Sequence, residues 1–158
     1  MPAHSTNPLI SRRIILLSCL AAVFSFFIVA DRASWADDFI VIKNAKNSVD
    51  SVSVAEVKDV FIGRMKTWKG GGVVVTVLGS EGSPGFAWLA EKIFSVNAKT
   101  LMSKIKQEVF KGEMNKPISV ADDDEAISQV KGNASAVAVV SAAKAASLPA
   151  GVTVLATH

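Results

Sequence analysis

The chain has 158 residues, 50% of them hydrophobic and 20% charged, with a formal net charge of +3 at pH 7. That length supports one domain with a modest core rather than two full lobes. A single cysteine excludes a disulfide-stapled scaffold, and the absence of a basic stripe with interleaved aromatics excludes nucleic acid as a partner.

In chain order, Arg12 and Arg13 precede a largely apolar stretch from Ile14 to Ala30, followed by small residues at Ser34 and Ala36. Basic, apolar and small-x-small segments in that order form a secretory signal pattern. Residues 1–36 are therefore expected to be a signal peptide and 37–158 the exported domain, cut after Ala36, with Ala30 as the alternative site. An uncleaved anchor stays open, although the apolar run is slightly short of the roughly 20 residues that span a membrane. Cys19 lies too early in that run to serve as a lipoprotein anchor. Processing would remove Arg12, Arg13, Arg32 and Asp31, taking the net charge from +3 to +1. It would also remove Cys19 and His4, leaving His158 as the last histidine. A zinc site of nitrogen and sulfur ligands then has no donors, and histidine-based nucleophilic catalysis has no base. No cofactor and no enzymatic activity are expected.

Phe39–Lys43 is apolar and β-branched, which predicts a first strand. Ser53-Val54-Ala55-Glu56 is a capping box, predicting a helix that buries Val57, Val60 and Phe61 and closes at Gly63. After the flexible Lys69-Gly70-Gly71-Gly72 turn, Val73–Leu78 reads as a second, buried strand. Phe86–Phe94 reads as an amphipathic helix. Asn97 caps another, through Leu101, Ile105 and Val109, ending by Gly112. Asp122-Asp123-Asp124-Glu125 opens a further helix through Ile127 and Val130 to Gly132. Its acids suit a helix's positive end and lack the alternating spacing of a calcium loop. Ala136–Val140 and Val152–Ala156 read as strands flanking a short alanine-rich helix at Ser141–Ser147. Alternating strands and helices predict an α/β layer fold with a mixed sheet.

The stretch most suggestive of chemistry is Gly79-Ser80-Glu81-Gly82-Ser83-Pro84-Gly85-Phe86. It joins a buried strand to a helix through small residues, with Ser83 as N-cap and Pro84 at the first helical position. Free N–H groups and a partial positive charge meet there, as anions require. The same pattern also satisfies the ordinary needs of a strand-to-helix turn. The candidate ligand-binding residues are Ser80, Gly82, Ser83, Gly85 and Phe86. The loop matches neither a Walker pattern nor a dinucleotide fingerprint.

Val52–Trp68 resembles the "I-F-x-G-k-x-x-x-W" signature of phosphate-type substrate-binding proteins of ABC importers, carried here by Phe61, Gly63 and Trp68. Glu81-Gly82-Ser83 sits where that family has the acidic-Gly-Ser part of its phosphate loop. Val109-Phe110-Lys111-Gly112 with Pro117 resembles the "F-x-G…P" element of short single-domain relatives. The resemblance runs from Phe39 to Ala156. It implies a single-lobe type-2 periplasmic binding protein-like domain, a periplasmic location, a small anion such as phosphate as ligand, and a membrane transporter or other periplasmic protein as partner. It also implies that Phe61 and Trp68 are packing anchors.

The departures are specific. Gly79 stands where the family loop has its phosphate-gripping arginine, so the bidentate contact is missing. Pro84 removes one more N–H from the loop. On the resemblance, Gly79→Arg is expected to strengthen phosphate binding if the loop keeps the family's geometry. Two functions follow from these residues: weak oxyanion binding, or a degenerate binding fold acting as an interaction or regulatory module.

Overall fold

A computed structural model describes residues 39–158; the expected leader and its cleavage point lie outside them. Strands are β1 (Phe39–Asn44), β2 (Ser51–Val52), β3 (Val75–Gly79), β4 (Ile118–Val120), β5 (Ala136–Ser141), β6 (Val152–Val154) and β7 (Ala156–Thr157). Helices are α1 (Val54–Phe61), α2 (Pro84–Trp88), α3 (Ala98–Phe110) and α4 (Asp123–Gly132). A π-helical turn at Leu89–Ile93 continues α2, and a 3₁₀ turn spans Ala142–Ser147.

Five strands form a mixed sheet in the order β4-β3-β5-β1-β6. β3 runs parallel to β4 and β5, whereas β1 is antiparallel to β5 and β6, with Ile42 opposite Ala138 and Val154. Strand alternation sends side chains to two cores. Val41, Leu78 and Val137 pack with Phe61, Leu89, Leu101 and Ile105 on one face. Ile42, Val77, Val120, Ala138 and Val140 pack with Ala126, Ile127 and Val130 on the other. The α/β mixed-sheet expectation therefore holds, with helices covering both faces.

Local chemistry fixes the elements around the site. Ser53 Oγ accepts from Glu56 N at 3.2 Å while Glu56 Oε2 accepts from Ser53 N at 2.8 Å, so the α1 capping box is closed. Gly63, at φ +77°, ends that helix, and a Cβ there would overlap Met114. Trp68 is buried, and its Nε1 donates to the Ser135 carbonyl at 2.9 Å, tying the segment after α1 to the start of β5. Phe61 is fully buried. Both aromatics are packing anchors, as the resemblance implied. At the same end of the sheet, Asn44 Nδ2 donates to the Val130 and Lys131 carbonyls at 2.8 and 3.0 Å, satisfying the C-terminus of α4.

Two expectations need correction. The helix starts at Pro84 behind the Ser83 cap, as predicted, but within Phe86–Phe94 it changes at Leu89 into a π turn, closed by Phe94 N donating to the Leu89 carbonyl at 3.2 Å. The short alanine-rich helix is present, as a 3₁₀ turn over Ala142–Ser147. Val152–Ala156 is two strands: β6 joins β1, and β7 leaves to pair with β2. β4 was not anticipated, because three residues carry too little periodicity to read. Pairing with β3, Val77 opposite Ile118 and Gly79 opposite Val120, holds it in the sheet.

Candidate functional site

The parallel strands β3, β4 and β5 all point their carboxyl ends to one side of the sheet, where the N-termini of α2 and α4 also arrive. A cavity of about 520 Å³ opens there. Its apolar wall includes Phe39, Val77, Phe86, Leu89 and Val139; its polar wall includes Ser83, Asp122, Asp123, Asp124, Ser141 and Lys144. Phe39 is oriented against Trp88, with ring centroids 6.0 Å apart.

Ser83 caps α2 as the sequence predicts, in extended backbone, with its Oγ accepting from Phe86 N at 3.3 Å. That bond and the missing N–H of Pro84 leave the Gly85 amide as the first-turn donor neither consumes. Ser83, Gly85 and Phe86 line the cavity. Ser80 and Gly82 lie on the exposed turn before it, outside the cavity wall; the Ser80 carbonyl accepts from Ser83 N at 2.9 Å.

Gly79 carries a second consequence. A Cβ at this position would overlap Ser83 Oγ and lie 3.1 Å from Ser83 Cβ. Any side chain there presses on the cap hydroxyl, which must turn aside to admit it. The expected gain from Gly79→Arg therefore requires the Ser83 hydroxyl to leave its capping position.

The other helix brings carboxylates. Asp122 Oδ1 accepts from Glu125 N at 2.8 Å, and Glu125 Oε2 accepts from Ala121 N at 2.7 Å, so α4 is capped reciprocally by its own acids. Asp123 Oδ2 accepts from Ser141 N at 2.9 Å, fastening α4 to the end of β5. Asp124 Oδ1 meets Lys144 Nζ at 2.6 Å, and this contact holds the Lys144 ammonium above its ordinary range. The cavity wall thus carries three carboxylates and one ammonium, already paired. The positive end of α4 is neutralised from within. A free oxyanion entering this cavity meets net negative charge.

The acidic run, Ser141, Lys144 and Phe39 were missed as site residues when read along the chain. Their only linear signal is the acidic first turn, which helix chemistry accounts for by itself. Among the described residues, no group of three or more His, Cys, Asp or Glu is arranged to hold a metal ion.

No family model matches this chain, and no curated protein does. Solved structures do. One, from Clostridium perfringens, is described as a phosphate ABC transporter substrate-binding protein with bound phosphate. It is 20% identical, with a TM-score of 0.57 over 76% of this chain and 44% of that one. An ABC-type phosphate transport receptor from Vibrio cholerae gives a TM-score of 0.59 at 13% identity, over 76% and 46%. PstS from Borrelia burgdorferi gives 0.57 at 14% identity, over 77% and 47%. The chain spans less than half the length of these structures. In fold, it is similar to phosphate-type substrate-binding proteins of ABC transporters.

Proposed function

We propose that this chain is an exported, non-enzymatic solute-binding domain, processed after Ala36 to leave residues 37–158 in the periplasm. It takes a small ligand in the cavity where α2 and α4 converge. One observation carries the reading: the cavity lies outside the carboxyl ends of β3, β4 and β5, where open α/β sheets bind ligands. The structural neighbours described as phosphate transport proteins support an anion as ligand. The unspent Gly85 amide and the Ser83 hydroxyl are its first contacts, with Phe86 beside them in the cavity wall and Ser80 and Gly82 on the turn outside it. Without an arginine, and beside three aspartates, affinity falls to about micromolar to millimolar, worth about 8 to 4 kcal/mol.

The aspartate wall favours a second reading, in which the cavity serves as an interaction or regulatory surface for a transporter subunit or another periplasmic protein. A thermal-shift screen against phosphate, sulfate and small carboxylates separates the two. A ligand present at 100 times its dissociation constant adds about 2.7 kcal/mol of stability. No shift with any anion sinks the solute-binding reading.

A further inference from the structure

α3 buries Leu101 and Ile105 and turns its opposite stripe, Lys99, Ser103, Lys106 and Phe110, to solvent. Phe110 is 93% exposed, the only exposed phenylalanine among the described residues. It is the last residue of α3, and Gly112, at φ +73°, turns the chain away just beyond it. Lys106 lies one turn before it and Lys111 beside it. Glu108, the single acid of α3, is paired with Lys111 at 3.5 Å. The helix end is therefore an aromatic knob in a cationic surround. Core packing gives no reason for a phenylalanine there.

The cavity has the opposite character: an apolar wall that includes Phe39 and Phe86, bordered by Asp122, Asp123 and Asp124. We infer that the Phe110 corner of one copy of this chain docks in the cavity of a second copy, with Lys106 and Lys111 facing the aspartates. The occupant is chosen by charge complementarity, since both halves of the match are present on one molecule. An aromatic ring gains by entering an apolar cavity, while the surrounding charges set orientation and encounter rate. Knob and hole are different patches, so the contact is head-to-tail and extends into chains rather than closing as a dimer. One side chain in one cavity is a small interface, so association is weak and salt-sensitive. The inference needs the cavity but not its small-ligand role; a ligand bound there competes with docking.

Sedimentation velocity on the purified full chain tests it, over about a hundredfold range of concentration at low and high salt. The expected result is a sedimentation coefficient that rises with concentration at low salt and stops rising at high salt. Phe110→Ser and Lys106→Glu, both at exposed positions, should each weaken association about tenfold or more. Mixing Lys106→Glu protein with Asp124→Lys protein should restore it. Concentration-independent sedimentation of the wild type overturns the inference, as does Phe110→Ser protein associating like wild type. Phe110-dependent binding to anionic vesicles by a chain that stays monomeric also overturns it. Self-association without any anion-induced thermal shift rejects the small-ligand reading alone.

Discussion

Ser83 has one hydroxyl and two uses for it. As N-cap it accepts from Phe86 N at 3.3 Å, and Ser83 is also part of the cavity wall, where its hydroxyl can donate to a ligand. Capping alone predicts that Ser83→Ala loses about 0.5–2 kcal/mol, measured by urea denaturation, with no change in ligand response. A ligand role adds a loss of anion-induced thermal shift beyond that amount. Gly79→Arg is now expected to destabilise the protein, because the new Cβ displaces Ser83 Oγ. Titration calorimetry and a melting curve on that variant check both halves: tighter phosphate binding at unchanged stability would contradict the packing argument. The Ser83-Pro84 start was legible in the sequence because a cap and its target lie within three residues. Asp124 and Lys144 are 20 residues apart, and Asp123 and Ser141 18. Only the return of β5 beside β3 brings them together, and no local pattern encodes that return.

Among the elements, α1 shows how a local signal becomes a measurable property. Glu56 closes the capping box and also meets Lys69 Nζ at 2.5 Å. The Lys69 contact first, and then the Ser53 backbone bond, hold its carboxyl at about 2, below its ordinary value of 4.5. A carboxyl lowered on folding adds stability that is complete above its unfolded value and is lost as pH falls towards its folded one. The α1 contribution should therefore be intact at neutral pH and disappear between about pH 4.5 and pH 2. Glu56→Gln should flatten that part of the acid-unfolding curve relative to wild type; curves that stay parallel through this window would refute the linkage. The box was legible because Ser53 and Glu56 are adjacent on one turn. The π turn was not: Leu89, Ala90 and Ile93 fit an ordinary helix, and the extra residue shows only in the bond from Phe94 to Leu89.

For the whole molecule, the sheet depends on how the chain's last residues are stitched in. β6 extends the sheet beyond β1, and Leu155 N donates to the Val41 carbonyl at 2.9 Å. His158 N donates to the Val52 carbonyl and the His158 carbonyl accepts from Val54 N, both at 3.2 Å, so this segment also secures the start of α1. Val152 and Leu155 are buried in different cores, one on each face of the sheet. The sequence offered one strand here, because β-branched Val152–Val154 runs without a break into Leu155 and Ala156. The switch at Leu155 depends on two partners distant in sequence. Each buried aliphatic side chain contributes about 1.5–3 kcal/mol, against a total stability of about 5–15 kcal/mol for a domain of this kind. Truncation after Gly151 removes both side chains and uncovers an edge of β1, whose backbone groups then face solvent unpaired. The truncated chain is expected to lose most of its folded population and to aggregate through the bared strand. Urea denaturation with light scattering measures both effects, and an unchanged midpoint without aggregation would mean that β6 and β7 decorate the sheet rather than close it.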